Sequence, residues 1–209
     1  MSQKNTENLS VIDAIEQRRS VKHYDPTHKM SRSEIERLLQ LAALSPTAFN
    51  IQPTRYIVVQ DEATKAAISP LAHNQPQVIE SSVLFVLTGA LDAYKNAARY
   101  WPDAPAEAQA GIVAAIKGSY EGKPQAQRDE ALLSGGMAAT TLMLAAKALG
   151  YDSCPMKGFD FAAVGKLLNV PENEVVVMMI AVGKKAAEPH RRAGTLGIDE
   201  LVRWEDTAR

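Results

Sequence analysis

The sequence is poor in several residues and patterns that would indicate a specialised class of protein. Only one cysteine occurs among the 209 residues, so no internal disulfide can form, and no Cys and His spacing resembles a zinc site. The chain has 23 Lys and Arg against 24 Asp and Glu, without the basic excess typical of proteins that bind nucleic acids or anionic membranes. These absences predict a cytoplasmic protein from a reducing compartment, with no nucleic-acid partner.

Long apolar segments and aromatic residues are also scarce. The most apolar run, Val175–Val182, is far shorter than the ~20 residues that a transmembrane helix requires. The first ten residues, MSQKNTENLS, are polar and lack the apolar centre of a signal peptide. We therefore expect no membrane partner. With only 6% aromatic residues, the core must be built from Ala, Leu, Val, Ile and Met.

The chain mixes helix and strand patterns and has no interior linker. Periodicity and capping residues predict helices at 11–18, 31–44, 62–71, 129–149 and 161–168, and strands at 56–60, 82–88, 174–182 and 200–204. Because the helix at 129–149 is apolar nearly all round, we expect it to be buried. Prolines and glycines interrupt residues 92–128, which predicts short helices in an exposed excursion. The pattern favours one α+β domain over residues 1–209, with residues 1–8 flexible.

A basic segment follows the first predicted helix. Arg18, Arg19, Ser20 and Lys22 lie within five residues. Guanidinium groups bind phosphate in a bidentate manner, Ser adds a neutral donor, and Lys adds a mobile point charge. Alternatively, the two arginines only complement the C-terminal dipole of the helix, and for this segment alone that interpretation is favoured.

A loop with proline near both ends carries two side-chain amides. Asn50 and Gln52 lie between Pro46 and Pro53 and lead directly into an apolar strand. An amide donates and accepts hydrogen bonds at once, which suits the edge of a heterocycle with alternating C=O and N–H groups. The alternative is a capping loop whose polar residues satisfy backbone groups, and the segment alone does not decide between them.

Two later segments are further candidates. Cys154-Pro-Met-Lys-Gly-Phe159 predicts a rigid turn, which either exposes backbone N–H groups to a ligand or simply connects two elements. A second basic cluster follows the last strong strand and consists of Lys184, Lys185, His190, Arg191 and Arg192. This cluster is either a solvated face or a group of side chains that closes over a phosphate.

In order and spacing, these segments resemble the successive signatures of the FMN-dependent nitroreductase family. The matching segments are Arg18-Arg-Ser-Val-Lys22, Ser45-Pro-Thr-Ala-Phe-Asn-Ile-Gln-Pro53 and Pro155-Met-Lys-Gly-Phe-Asp160. The stretch Ala139–Gly150 resembles the central helix of that family, so the resemblance covers nearly the whole chain. It implies a nitroreductase-like α+β fold, with a mainly antiparallel central sheet surrounded by helices, in an intertwined homodimer.

The resemblance also implies a tightly bound FMN at each of two sites in the subunit interface. Arg18, Ser20 and Lys22 would contact its phosphate, ribityl chain or pyrimidine edge, with Arg19 beside them. Asn50 and Gln52 would face the flavin, from the partner subunit. The turn formed by Pro155, Met156, Lys157 and Gly158 would bring backbone amides to flavin N5 and O4. Arg191 or Arg192 would complete the phosphate site.

The activity implied is that of a flavin oxidoreductase. NADH or NADPH would deliver hydride to flavin N5, and a nitroaromatic, a quinone or a related electron-poor acceptor would then be reduced in a ping-pong reaction. No protein residue is expected to act as acid or base, since the flavin carries the chemistry. Same-fold alternatives are enoate or azo reduction, dehalogenation and flavin-consuming oxidation, and a third interpretation is a flavin-binding dimer without turnover.

Two departures from the family pattern affect what can be expected of the site. Many members carry Glu where this chain has Lys157, and a cation there could stabilise reduced flavin and raise its reduction potential. Residues 92–128 match none of the motifs, and in the family this region often forms a lid that selects substrates. The acceptor and the choice between NADH and NADPH therefore stay open.

Overall fold

The computed structural model describes residues 9–205, so the flexibility expected of residues 1–8 lies outside the described residues. The helices are α1 Val11–Gln17, α2 Arg32–Ala42, α3 Glu62–Leu71, α4 Pro76–Glu80, α5 Ala106–Tyr120, α6 Pro124–Ala148, α7 Phe161–Leu167 and α8 Ile198–Leu201. The strands are β1 Thr54–Val59, β2 Val83–Ala90, β3 Asp152–Met156 and β4 Glu174–Gly183. Two 3₁₀ segments lie at Ala48–Asn50 and Ala93–Tyr100.

The four strands form one antiparallel sheet in the order β1-β2-β4-β3. Strand β2 is buried along its whole length because helices cover both faces of the sheet. Leu84 and Val86 point to the cluster that includes α3, α4 and α7, whereas Phe85 and Leu87 point to the cluster that includes α2 and α6. The predicted α+β fold with a mainly antiparallel central sheet is confirmed.

Local sequence signals set many of the helix boundaries. The Ser10 hydroxyl accepts from the Asp13 N–H at 3.1 Å and caps α1. Ser31 and Glu34 form the predicted capping box at the start of α2, with the Ser31 N–H donating to the Glu34 carboxylate at 2.7 Å. Helix α3 has the bounds that its periodicity predicts.

In the last third of the chain, the predictions missed one strand and placed another where none forms. Residues 152–156 form the edge strand β3 rather than only a turn, and Pro155 is tolerated there because an edge strand needs no N–H donor on its outer side. The strand predicted at 200–204 is absent. Its first residues belong to α8, where the Glu200 carboxylate accepts from the Gly197 N–H at 3.2 Å.

Helix α6 is longer and less buried than its composition predicts. It begins at Pro124. Proline is tolerated there because a backbone N–H at the first position of a helix would have no acceptor within the helix. Leu133 and Met137 are 66% and 40% exposed, so the expected burial all round is wrong for one face. The other face lies close to the sheet: a Cβ added to Gly89 would come within 2.6 Å of the Ala131 Cβ.

By length and composition alone, α6 could cross a membrane. An 18-residue window reaches a mean hydropathy of 1.3 with 44% of it buried inside the fold. The expectation that no segment spans a membrane considered only the apolar run Val175–Val182 and did not consider this helix. Its packing on β2, β4 and α2 is that of the core helix of a domain.

The excursion after β2 has a small core of its own. The 3₁₀ segment and α5, residues 93–120, are called the lid segment below. Tyr94, Ala97, Ile116 and Tyr120 of the lid segment pack with Ile51, which belongs to the loop before β1. This cluster is separate from the two that cover the sheet. The lid segment is thus built on the loop at 45–53, and that loop is called the amide loop.

Candidate functional site

The end of α1 and the chain's last third meet in a cavity of about 270 Å³, called the basic pocket below. Its lining residues are Arg18, Arg19, Ser20, Lys22, His190, Arg191, Arg192 and Ala193. Five of these eight side chains are cationic and none is acidic. The structure therefore brings together the two basic segments that the sequence separates by about 170 positions.

Strand β3 lies beside the segment that carries the first cations of the basic pocket. Ser20 makes an isolated parallel bridge to Ser153, and the Val21 N–H donates to the Ser153 carbonyl at 3.1 Å. Burial raises the pKa of the Cys154 thiol, while the positive charges of Lys22 and Arg18 oppose that shift. The segment 18–22 thus runs beside β3, with its cations close to the strand.

The tail is tied to α1 through arginine side chains. Arg19 Nη2 donates to the His190 carbonyl, and Arg192 Nη2 donates to the carbonyls of Glu16 and Arg18, both at 3.2 Å. Within residues 9–205, Arg191 makes no hydrogen bond or ion pair although it lines the pocket. Arg192 is therefore committed to the backbone, and Arg191 is available to a ligand.

One guanidinium nitrogen of the basic pocket is buried and unsatisfied. In the described part of the chain, neither Arg18 Nη1 nor the Ser153 hydroxyl has a hydrogen-bond partner. A buried donor without a partner is costly, and a charged one more so. An anion with several acceptor oxygens would satisfy such donors, so the donor set fits a phosphate group. This observation favours a binding role for Arg18 over the dipole interpretation.

The two lysines of the second basic cluster lie outside the pocket. Lys184 donates to the Gly150 carbonyl at 2.5 Å, and its ammonium lies 4.1 Å from the centre of the Tyr151 ring. Lys185 pairs with Glu188 at 2.5 Å. Both side chains therefore have structural partners, and only the arginine half of the cluster contributes to the candidate site.

The predicted turn follows β3 directly. Met156 is buried in the core, whereas Lys157 and Gly158 are exposed and Pro155 is half-buried. The Gln75 side-chain amide donates to the Gly158 carbonyl at 2.9 Å, and Gln77 donates to the Gln75 amide oxygen at 2.9 Å. Among residues 9–205, the backbone N–H groups of Lys157 and Gly158 have no hydrogen-bond acceptor. The turn therefore offers two free backbone donors.

Sequence reasoning missed the contribution of Gln75. A signal was present, because Asn74-Gln75-Pro76 places two side-chain amides before a proline, much as Asn50 and Gln52 precede Pro53. Both segments have residues with positive φ, 52° at Asn74 and 56° at Asn50. The contact to Gly158 spans 83 positions and only the fold reveals it.

The amide loop lies away from the basic pocket within one chain. Asn50 and Gln52 precede β1, which is one edge of the sheet, and Ser20 lies beside β3, which is the other edge. Three interstrand spacings separate the two edges, about 14 Å. Both amides are exposed. One chain thus brings the two basic segments together and places the turn on the same edge strand, whereas the amides lie at the opposite edge.

A larger cavity of about 630 Å³ begins at Lys157. It continues along Val175–Val177, where β4 extends beyond the end of β3, and Phe161 of α7 and Leu132 of α6 form its sides. Its lining mixes apolar side chains with charged ones, among them Arg128, Lys166 and Glu174. The apolar part beside a turn with free N–H groups suits a planar ring with polar edges.

Comparisons with known proteins agree with this geometry. The model of the nitroreductase family matches residues 15–184. Protein DrgA of Synechocystis is 44% identical over 90% of this chain and 91% of its own. YodC of Bacillus subtilis, named as an NAD(P)H nitroreductase, is 33% identical over 93% of this chain and 98% of its own.

A solved structure and a more distant relative add information on ligands. A protein from Exiguobacterium sibiricum, described as a nitroreductase in complex with FMN, is 29% identical and covers 98% of this chain and 100% of its own, with a TM-score of 0.88. An enone reductase of Lactiplantibacillus plantarum, named for the biosynthesis of CLA, is 29% identical over 89% of this chain and 90% of its own. The order of the motifs, the fold and these likenesses agree, and the chain belongs to the nitroreductase family of oxidoreductases.

Proposed function

We propose that this protein is a cytoplasmic FMN-dependent oxidoreductase that uses NADH or NADPH to reduce nitroaromatics, quinones or related electron-poor acceptors. The observation that carries the proposal is the buried, unsatisfied Arg18 guanidinium nitrogen in a pocket that is rich in cations and lacks acidic residues. The FMN bound by the related Exiguobacterium protein and the name of YodC support the choice of cofactor and electron donor.

The basic pocket would hold the FMN phosphate. That group carries about −1.5 to −2 charges near neutral pH, by analogy with phosphorylated side chains. Arg18 and Lys22 offset the charge, and Ser20 adds a neutral donor from an exposed position. Of the two tail arginines, Arg191 is the better phosphate ligand, because backbone carbonyls already occupy Arg192. Arg19 holds the tail over the pocket.

The turn after β3 would hold the ring. Bound at this turn, FMN would supply hydride transfer through N5, from NAD(P)H to the acceptor in a ping-pong reaction. The free N–H groups of Lys157 and Gly158 point to hydrogen bonds with the polar edge of the ring. Gln75 fixes the turn through the Gly158 carbonyl, and Pro155 restricts the backbone before it. The protein binds and orients, and no side chain needs to exchange a proton.

A second copy of the chain would complete each site. The amides Asn50 and Gln52 lie at the sheet edge opposite to the basic pocket, so the amides of one protomer would reach the flavin of its partner. Large apolar side chains are exposed on α1, α6 and the tail: Val11, Ile12, Ile15, Leu133, Met137, Leu196, Ile198 and Leu201. Such a surface is typical of a subunit interface, and an intertwined homodimer would cover it.

The test is the absorption spectrum of the purified protein. Wild-type protein should be yellow, or become so after incubation with FMN, and should bleach when NADH or NADPH is added without oxygen. Subsequent addition of a nitroaromatic or a quinone should restore the colour with multiple turnovers. A protein that stays colourless with FMN would overturn the proposal, and a yellow protein that no pyridine nucleotide bleaches would be a flavin-binding dimer without turnover.

The enone reductase relative supports a second candidate function, reduction of an activated C=C bond. The same FMN site serves this reaction, and the substrate alone differs. The reduced protein should then be reoxidised faster by a simple enone such as 2-cyclohexenone than by a nitroaromatic or a quinone of similar size. The ratio of kcat/KM values decides between the two functions.

A further inference from the structure

Glu130 lies on α6 at the meeting point of three segments. Its Oε1 accepts hydrogen bonds from the Ala48 backbone N–H at 3.2 Å and from the Ser134 hydroxyl at 2.6 Å. Its Oε2 accepts from the Tyr120 hydroxyl at 3.3 Å. One carboxylate thus joins the amide loop, the end of the lid segment and the central helix.

The amide loop has a backbone that needs to be held. Phe49, Asn50 and Gln52 adopt φ angles of 52°, 56° and 45°, in the left-handed region that residues other than glycine adopt rarely. Such conformations persist where the surroundings enforce them, and they cluster at functional sites. The bond from Ala48 to Glu130 fixes the backbone just before these residues, and the Gln52 N–H donates to the Thr47 hydroxyl at 3.1 Å.

The same residues anchor the lid segment. Ile51 of the amide loop is buried against Tyr94, Ile116 and Tyr120. The Phe49 ring meets the Tyr120 ring edge to face, with centres 6.5 Å apart and an interplanar angle of 88°. Burial and the Glu130 carboxylate raise the pKa of Tyr120 to about 12, so its hydroxyl stays protonated and keeps donating.

We propose that Glu130 is a positioning residue that fixes the lid segment and the amide loop relative to each other. The inference rests on the proposed function, in which Asn50 and Gln52 face the flavin, and on the packing of the lid segment against their loop. Glu130 does not touch the reacting atoms; it acts through Ala48 and Tyr120. Any movement of α5 therefore displaces the amides, and the affinity for the acceptor depends on this carboxylate.

Steady-state kinetics test the proposal with three variants. Glu130→Ala should keep FMN and raise the KM for p-benzoquinone about tenfold, the factor expected when hydrogen bonds to a charged group are lost. Its kcat should change much less, since the flavin turn and the basic pocket are intact. Glu130→Gln should restore the KM, because the amide oxygen still accepts from Ala48 and Ser134. Asp129→Ala is the matched control, as Asp129 is exposed and, within residues 9–205, bonds only Gln125 of its own helix.

Amide hydrogen exchange tests the coupling without any substrate. In Glu130→Ala, exchange should rise in residues 47–52 and in residues 93–120 together. Tyr120→Phe keeps the ring and removes one hydrogen bond; it should produce a smaller joint rise, and it replaces Glu130→Ala if that variant does not fold. A lower melting temperature with unchanged KM, and with exchange raised in α6 alone, would overturn the proposal. If wild-type protein binds no FMN, the proposed function is wrong. The hydrogen-exchange experiment still tests whether Glu130 couples the two segments.

Discussion

Arg192 donates a hydrogen bond from its guanidinium to the Arg18 backbone carbonyl at 3.2 Å, across 174 positions of the sequence. The bond places the tail beside the end of α1 and leaves the side chains of Arg18 and Arg191 facing the basic pocket. The four arginines of the pocket therefore divide two tasks, since Arg19 and Arg192 hold the tail and Arg18 and Arg191 remain for an anion.

Loss of an anion-binding arginine should weaken FMN retention more than it alters the fold. Arg18→Ala and Arg191→Ala should each raise the Kd for FMN about 10- to 100-fold, because each removes charge-assisted hydrogen bonds to the phosphate. Equilibrium dialysis measures the Kd, and circular dichroism checks the fold. Lys185→Ala is the control, because its partner Glu188 lies outside the pocket. Full flavin occupancy in both arginine variants after extensive dialysis would refute the phosphate assignment.

The link between Gln75 and Gly158 should affect the reductive half-reaction. Gln75→Ala frees the Gly158 carbonyl and removes the partner of the Gln77 amide, so we expect a stability loss of about 1 kcal/mol and slower bleaching by NADH. Stopped-flow absorbance at the flavin band measures the rate. Gln60→Ala breaks a similar amide-to-carbonyl bond, 2.8 Å long, to Met30 far from the turn. Equal bleaching rates in the two variants would show that the turn does not need Gln75.

The charge at Lys157 should tune the flavin. Lys157 is exposed at the turn, so solvent screens its effect. We expect Lys157→Glu to lower the midpoint potential by about 30 mV, which corresponds to a tenfold change in a two-electron equilibrium. Lys166→Glu makes the same change of charge at another position in the lining of the larger cavity and serves as the comparison. An unchanged midpoint potential in Lys157→Glu would end this hypothesis.

Acid should destabilise the protein partly through Glu34. Hydrogen bonds from Ser31 and Tyr151 lower the pKa of Glu34 from 4.5 to about 2. Because the folded pKa is the lower one, this stabilisation is fully present above pH 4.5 and is lost as the pH falls towards 2. Glu34→Gln should therefore flatten the decline of melting temperature over that range, by a modest amount since Glu34 is exposed. A decline as steep as in the wild type would contradict the assignment.

The exposed face of α6 should be needed for dimer formation. Leu133→Glu places a charge where 66% of a leucine is exposed, and it should give monomers with reduced FMN content. Light scattering after gel filtration measures the mass of each species. Leu133→Met keeps the face apolar and should remain dimeric. A dimeric Leu133→Glu variant with full flavin content would place the interface elsewhere.

Local signals account for the parts of the fold that the sequence predicts well. Ser31 and Glu34 form a capping box within one helical turn, so four residues of sequence are enough to predict the start of α2. Strand β3 cannot be predicted from such a local signal. Pro155 indicates a turn, and the strand forms only by pairing with β4, where Ile180 lies opposite Pro155. The segment 200–204 has strand-like residues, yet without a paired strand in the described chain its start is helical.

In the candidate site as well, features that depend on local motifs were predicted and features that depend on distant contacts were not. Its basic segments and its turn are visible as motifs, and the fold brings them together. The Gln75 bond to Gly158 and the Glu130 bond to Ala48 each span more than 80 positions, so no local pattern reveals them. For Arg191 and Arg192, the sequence offers two equal candidates, and only the carbonyls that Arg192 meets tell them apart.

The basic pocket also has a consequence for folding. It closes only when Arg19 and His190, 171 positions apart in the sequence, come into contact. Once the sheet has formed, β4 ends at Gly183, so only a short loop remains to be closed. The sheet pairs residues much nearer in the chain, as β1 with β2 and β3 with β4, and can assemble before the tail arrives. An anion that binds only the closed pocket stabilises the folded state by mass action. In the proposed binding mode, the cofactor phosphate would therefore stabilise the contact between the end of α1 and residues 190–193.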